Sequence, residues 1–252
     1  ARTLTSIAES KTESFYKGEL ANQIHLFMQN NGGYLTREDL SEYEADWVDP
    51  ISINYKGYDI WEIPPNGQGI ITLIALNILK NMEITSFKEN INTYHRQIEA
   101  LKLAFADGFK YITDPRDMEV KIDELLSDEY GMERKNLITN KSITPTAGTI
   151  PGQRGGTVYL AAADNEGNMV SYIQSNYKGF GSGIVIPGTG IALQNRGKEF
   201  SLNPDDCNYL KPKKRTYHTI IPGFITEKDK PVGPFGVMGG YMQPQGHLQV
   251  IM

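Results

Sequence analysis

The residues with the most distinctive chemical potential are Gly155-Gly156-Thr157, which lead directly into the apolar run 158–163. A threonine hydroxyl is a poor nucleophile unless a base lies within hydrogen-bonding reach, and a free α-amine on the same residue can be that base. The α-amine titrates near neutrality, so it can accept the hydroxyl proton. This chemistry requires cleavage between Gly156 and Thr157, and paired glycines allow the backbone angles that attack on the preceding carbonyl needs. The alternative is an ordinary turn that enters a strand at a β-branched residue.

The segments around this junction predict an α+β layered fold, with helices mainly before it and strands after it. A linker rich in threonine, glycine and proline at 144–156 is expected to be exposed, as a processing site must be. Apolar residues at helical spacing predict helices over 3–31 with a break at Gly18, 36–43, 70–80 and 93–111. Period-two alternation predicts a hairpin at 51–63 and then short strands at 157–163, 169–175, 183–193, 217–226 and 232–238.

Composition narrows the classes of function. The 252 residues are 39% hydrophobic with a net charge of −5, which favours a globular protein without a basic surface for nucleic acid. A single cysteine, Cys207, excludes an internal disulfide. The four histidines lack the paired spacing of a metal site, and no glycine-rich stretch ends as a phosphate-binding loop does, so we expect neither a metal nor another cofactor. No apolar stretch is long enough to span a membrane.

Two groups of motifs occur in a fixed order. The first comprises Leu35-Thr36-Arg37-Glu38-Asp39-Leu40, Pro64-Pro65-Asn66-Gly67-Gln68-Gly69 and Asp114-Pro115. The second comprises Thr157, Phe180-Gly181-Ser182-Gly183-Ile184, Lys214-Arg215 and Gly239-Gly240. Together they resemble the γ-glutamyltransferase (γ-glutamyltranspeptidase, or glutathione hydrolase-like) family: the first group is similar to the late part of its large subunit, and the second to its small subunit. The short loop between Ser201 and Lys214 is most similar to unlidded bacterial glutathione hydrolase-like or cephalosporin-acylase-like members.

The resemblance implies a fold and an activity. The fold would be the four-layer αββα sandwich of the N-terminal-nucleophile hydrolases, incomplete in this chain. Residues 1–156 would be the end of a large-subunit-like region, and residues 157–252 a small-subunit-like region that begins at the nucleophile. The precursor would cleave itself between Gly156 and Thr157. Thr157 would then form an acyl-enzyme with a γ-glutamyl amide and pass the acyl group to water or to an amino acid.

The resemblance also implies roles for particular residues. Gly239 and Gly240 match the glycine pair whose backbone N–H groups stabilise the oxyanion. Ser175 stands where a second threonine orients the nucleophile, and a serine can donate and accept in the same way. Glu199 replaces the aspartate that holds the donor's α-amine, and Arg196 replaces a nearby glutamine.

Further substitutions in the substrate pocket leave the donor open. Tyr177 stands where the family has an asparagine, with Asn176 one place earlier, and His218 and Thr219 replace a serine pair. An arginine beside the amine site should repel an ammonium and attract a carboxylate. An acylase acting on glutaryl-type or cephalosporin amides is therefore the alternative within the same class.

Two further expectations concern what accompanies the chain. The family's early large-subunit segment, with an arginine that grips the donor's α-carboxylate, has no counterpart here, and neither do the closing strands after Met252. We therefore expect a fragment, or a chain that needs a complementary one, and a location in the bacterial cytoplasm rather than the periplasm or medium. Gly156 replaces the acidic residue of similar relatives, which keeps open a third hypothesis: an unprocessed, non-catalytic binding module.

Overall fold

A computed structural model of the chain describes residues 1–84, 90–145 and 157–252. Its helices are α1 (Arg2–Glu9), α2 (Glu13–Tyr16), α3 (Glu19–Asn30), α4 (Arg37–Ser41), α5 (Gly69–Leu79), α6 (Ile91–Tyr111), α7 (Ile122–Leu125), α8 (Asp128–Lys135) and α9 (Gln243–Ile251). Its strands are β1 (Ile51–Tyr55), β2 (Tyr58–Glu62), β3 (Val158–Ala163), β4 (Met169–Gln174), β5 (Val185–Ile186), β6 (Ile191–Ala192), β7 (Gly223–Glu227) and β8 (Lys230–Phe235). These elements form two compact units.

The first unit comprises Ala1–Trp47 and Phe180–Asn195. It contains α1 to α4 and the small hairpin β5–β6. The predicted helix break at Gly18 and the short helix predicted over 36–43 are confirmed. Thr36 caps that helix: its hydroxyl accepts from the backbone N–H of Asp39 at 3.1 Å, and the Asp39 carboxylate accepts from the Thr36 N–H at 2.8 Å. The single strand predicted over 183–193 is wrong, because turn residues with positive φ between β5 and β6 reverse the chain.

The second unit, Val48–Gly179 and Arg196–Met252, is built around α5. All eleven residues of α5 are buried, as its continuous run of apolar residues requires. The helix packs on β1 and β2 and contacts α6, α8 and α9. The helices predicted over 70–80 and 93–111 are thus confirmed, and α5 provides a rigid support for the loop that precedes it.

A four-stranded antiparallel sheet, in the order β1-β2-β7-β8, contains strands from both predicted regions. The division at 156/157 is a prediction about cleavage, and it stays one, because residues 146–156, Gly156 included, lie outside the described residues. The strand predicted over 217–226 begins only at Gly223. The segment before it forms hydrogen bonds with the loop 66–68 instead of joining the sheet.

The hairpin β3–β4 carries the predicted nucleophile at its open end. Alternation along the strands turns Leu160 and Tyr172 outward, where both are about half exposed, and turns Tyr159 toward the segment that follows β8. A side chain at Gly236 would begin 2.4 Å from the Tyr159 ring, so backbone and ring are in close contact there. Thr157, two residues before Tyr159, belongs to the same face.

The buried Asp114 joins the end of α6 to the segment that leads into the site. Its carboxylate accepts from Nε and Nη2 of Arg116 at 3.0 and 2.6 Å and from the backbone N–H of Arg215 at 2.8 Å. The hydrogen bonds from the Arg116 side chain and from the backbone N–H groups of Arg215 and Arg116 hold the pKa of Asp114 well below its ordinary value. The ionised carboxylate therefore stabilises the folded state.

We expect Asp114→Asn to lower the free energy of unfolding at pH 7 by about 2 kcal/mol, because hydrogen bonds to a charged group are lost. A carboxyl whose pKa is depressed on folding stabilises fully above its unfolded pKa, and this contribution is lost as the pH falls toward the folded pKa. The difference between variant and wild type should therefore shrink below about pH 4, as urea denaturation of the full-length protein at pH 7 and pH 3 would measure. Asp128→Asn is the control, since that carboxylate pairs with Lys80 at an exposed site and should matter much less. Equal stability of Asp114→Asn and wild type at pH 7 would contradict the assignment.

Candidate active site

The predicted nucleophile and its predicted partner are brought together by the β3–β4 register. Val158 pairs with Gln174, so the next cross-strand position places Thr157 opposite Ser175. The Thr157 hydroxyl donates to the Ser175 hydroxyl at an oxygen–oxygen distance of 3.3 Å. Ser175 Oγ also accepts from the backbone N–H of Tyr177 at 2.8 Å, which holds its side chain in place. The arrangement orients the threonine hydroxyl through a neighbouring hydroxyl.

The glycine pair lies where the chain leaves β8 and begins α9. Gly239 has φ 134° and Gly240 has φ 61°, conformations that residues with a side chain rarely adopt. They open the 3-10 turn Gly240–Met242, which continues into α9. The first N–H groups of a helical segment have no partner within it and are suited to stabilise negative charge. The pair can therefore serve as an oxyanion site.

Glu199 is held by two tyrosines. The Tyr177 hydroxyl donates to Oε1 and the Tyr241 hydroxyl donates to Oε2. Burial, followed by the hydrogen bond to Glu199, raises the pKa of both phenols, so both remain protonated donors over the working pH range. Tyr177 adopts φ 74°, a strained conformation for a bulky residue. Each oxygen of Glu199 thus already accepts a hydrogen bond before any substrate is considered.

Arg196 lies against the ring of Tyr177, whose hydroxyl binds Glu199. It is 5% exposed, its guanidinium lies 4.1 Å from the centre of the Tyr177 ring, and its Nη1 donates to the Thr219 hydroxyl at 2.5 Å. Burial lowers the pKa of Arg196 to about 10, which leaves it charged at neutral pH. The buried guanidinium of Arg196 and the carboxylate of Glu199 thus both contact Tyr177, one at its ring and the other at its hydroxyl.

His218 contributes a neutral imidazole. Burial, with the nearby charge of Arg196 as a second cause, lowers its pKa to about 3. Its Nδ1 accepts from the backbone N–H of Ile220 at 3.3 Å, which assigns the remaining proton to Nε2. His218 can donate one hydrogen bond to a substrate but cannot carry charge at neutral pH.

The predicted site residues differ in how the structure places them. Asn176 is exposed and takes no part in the hydrogen bonds of the cluster that the described residues show, although it lies between Ser175 and Tyr177. Sequence reasoning missed Tyr241, which follows the glycine pair directly, and Gln68 and Tyr217. The motif Pro64-Pro65-Asn66-Gly67-Gln68-Gly69 contributed to the family resemblance, but no site role was assigned to its residues. A glutamine between two glycines was the available signal.

Residues 1–84, 90–145 and 157–252 contain no group of three or more His, Cys, Asp or Glu side chains that could hold a metal ion. In the same part of the chain, none of the helices has the length and apolar character needed to cross a membrane.

Comparison with known proteins gives consistent matches. The family model described as Gamma-glutamyltranspeptidase matches residues 1–252. The Glutathione hydrolase-like YwrD proenzyme of Bacillus subtilis is 38% identical over 252 residues, which cover 100% of this chain and 47% of that protein. The Oxamate amidohydrolase proenzyme of Klebsiella pneumoniae is 37% identical over 246 residues, 97% of this chain and 46% of that protein.

Among solved structures, the cephalosporin acylase from Bacillus halodurans is similar with a TM-score of 0.95 and 63% identity, covering 100% of this chain and 46% of that one. The chain thus spans about half the length of the relatives that it matches.

The fold is that of the N-terminal-nucleophile hydrolases, of which this chain contains part of the layered sandwich. The chain belongs to the gamma-glutamyltranspeptidase family. The resemblance and the fold class inferred from the sequence are therefore confirmed.

Proposed function

We propose that the full-length protein is a self-processing threonine amidohydrolase and acyltransferase that acts on γ-glutamyl amides of the glutathione type. The observation that carries the proposal is the contact between the Thr157 and Ser175 hydroxyls, at 3.3 Å, on the hairpin face that also bears Tyr159. The family's activity and the match to hydrolase proenzymes support it.

The first step is cleavage of the precursor. The Thr157 hydroxyl adds to the carbonyl carbon of Gly156, and the C–N bond then breaks, which leaves an ester to the threonine oxygen and a free α-amine on Thr157. Water hydrolyses the ester, releasing the Gly156 carboxylate and restoring the hydroxyl. The products are two chains and a threonine whose own amine is the base.

Turnover repeats the chemistry on a substrate. The hydroxyl attacks the amide carbonyl while the α-amine takes its proton, and the N–H groups of Gly239 and Gly240 hold the oxyanion. The protonated amine then gives its proton to the leaving nitrogen, and the C–N bond breaks to leave the acyl-enzyme. Water or an amino acid resolves the ester. Ser175 orients the threonine hydroxyl throughout.

Donor recognition involves the pocket around Glu199 and, in our proposal, a large-subunit segment that these residues do not include. We assign Glu199 to the α-ammonium of a γ-glutamyl donor. We assign the Nε2–H of His218, together with Arg196 and Thr219, to the polar groups of the same donor. The early large-subunit segment would supply a further contact to the donor carboxylate.

A second candidate, an acylase for glutaryl-type amides, is favoured by one observation. Both oxygens of Glu199 are engaged by tyrosine hydroxyls, and the charged Arg196 stands beside them. These contacts partly compensate the negative charge of Glu199, which would otherwise attract the donor's ammonium. A donor without an α-amine would avoid competing with those hydrogen bonds.

Assays with γ-glutamyl anilide and glutaryl anilide separate the two candidates. If the first candidate is correct, we expect Glu199→Gln to raise KM for the γ-glutamyl donor about tenfold, because the loss of one charge contact with a ligand is worth about 1.4 kcal/mol. KM for the glutaryl donor should not rise, since that donor lacks the ammonium. Turnover of the glutaryl donor alone would decide for the acylase, and no turnover of either by a correctly cleaved protein would contradict both. Intact mass of the purified protein checks the cleavage itself.

A further inference from the structure

The Gln68 side chain forms hydrogen bonds with parts of the site that are far away in sequence. The side chain is fully buried. Its Nε2 donates to the carbonyl of Thr219 at 2.8 Å and to the carbonyl of Gly240 at 2.9 Å. Its Oε1 accepts from the hydroxyl of Tyr217 at 3.2 Å. One amide group thus joins the segment that bears His218 and Thr219 to the turn that bears the glycine pair.

The backbone around Gln68 is held just as firmly. Its N–H donates to the carbonyl of His218 at 2.9 Å, and the N–H of His218 donates to the carbonyl of Asn66 at 2.9 Å. The residue directly precedes the fully buried helix α5. A Cβ at Gly69 would lie 2.7 Å from Cβ of Glu62, so the start of the helix is closely packed against β2. Gln68 is therefore fixed to the core rather than to a loose loop.

The Gly240 turn is the part that needs such support. Glycine has no side chain to restrict its backbone, and Gly240 adopts φ 61°. The two peptide planes that meet at Gly240 are consequently oriented by their hydrogen bonds. Its carbonyl accepts from Gln68 and from the backbone N–H of Gln243. The same peptide plane continues into Tyr241, whose hydroxyl reaches Glu199.

From this geometry we infer that Gln68 is a positioning residue, which fixes the oxyanion turn at Gly239-Gly240 relative to the donor pocket at His218-Thr219. The inference rests on the proposed function, in which those two segments act on the same substrate. Only an amide suits the position. Both contacts to carbonyls require N–H donors, whereas the contact to Tyr217 requires an acceptor. A carboxylate would face two carbonyl oxygens without a proton to share.

The test uses Gln68→Met, which keeps the length and the buried volume, and Gln68→Glu, which keeps the shape. In the full-length protein we expect each to lower kcat about 100-fold, the effect expected when a reacting group is displaced by about 1 Å. KM should stay within about threefold, because the donor's charged contacts are unchanged. Affinity for a tetrahedral phosphonate analogue should fall by the same factor as kcat, while affinity for a ground-state product should not.

Asn77→Leu is the matched control. Asn77 is equally buried and donates from Nδ2 to the carbonyl of Ser127 at 2.7 Å, but it lies near the other end of α5. We expect Asn77→Leu to lower the stability of the protein and to leave kcat at the wild-type value.

A kcat for both Gln68 variants within threefold of that of Asn77→Leu would overturn the inference, as would equal loss of affinity for analogue and product. These outcomes are distinct from failure of the proposed function, which activity of Thr157→Ala would reveal whatever the Gln68 variants do.

Discussion

Replacing Thr157 with alanine is expected to abolish both self-cleavage and turnover of the full-length protein. Both reactions use the same hydroxyl as nucleophile, and loss of a nucleophile lowers kcat by at least about ten-thousand-fold. The variant should appear as one uncut chain on denaturing electrophoresis and by intact mass. It should release no product from either anilide donor.

Thr157→Ser is the control for this prediction. A serine retains a hydroxyl and, after cleavage, the same α-amine, so measurable cleavage and turnover should persist. Cleavage or turnover by Thr157→Ala would refute the assignment of the nucleophile. A wild-type protein that remains a single chain after long incubation would instead favour the unprocessed binding module that Gly156 leaves open as a hypothesis.

The second large effect is expected at Gly239. Its φ of 134° is a conformation that a residue with a side chain rarely adopts, and a Cβ would lie 3.0 and 3.3 Å from Cε and Cβ of Met242. Gly239→Ala should therefore rotate the peptide away from the oxyanion position. We expect kcat to fall about 100- to 1000-fold, as on removal of one oxyanion donor, with KM little changed.

Gly57→Ala is the matched control, because Gly57 also has a positive φ, 91°, and, its two chain neighbours aside, no atom of the described residues lies within 4 Å of its Cβ position. It should share the backbone strain but leave kcat at the wild-type value. Circular dichroism and denaturation of both variants would show whether each is folded. Full activity of a folded Gly239→Ala protein would rule out the glycine pair as the oxyanion site.

Elements governed by local patterns were predictable from the sequence. The hairpin β1–β2 alternates with period two around Lys56-Gly57, and α5 is a run of apolar residues after a turn. The hairpin and the helix each depend on residues that are close together in the sequence, so the local pattern of apolar and polar residues is enough to predict them. The pairing of Thr157 with Ser175 is also local, since the turn at Asp164–Asn168 aligns the two strands of one hairpin, but Ser175 was identified only through the family resemblance.

The strand predicted over 217–226 starts later than expected because of contacts over a long sequence distance. The segment before β7 was expected to be a strand because its residues suit one, but the loop 66–68, about 150 residues earlier, takes its hydrogen bonds. Asn176 was assigned to the pocket because the family's asparagine is expected one place later, at Tyr177, and that role stays a prediction. The turn after Ser175, with Tyr177 at positive φ, leaves Asn176 exposed and buries the tyrosine.

From the sequence alone came the nucleophile candidate Thr157, through its residue type and its position before a strand, and, through the family resemblance, the candidate roles of Ser175 and of the glycine pair. Only the tertiary structure decided that Glu199 is engaged by Tyr177 and Tyr241, that Arg196 is buried against an aromatic ring, and that Gln68 joins pocket and oxyanion turn. A buried polar group must find its partners wherever the packed chain brings them. Those partners lie up to 172 residues apart, beyond the reach of any local pattern.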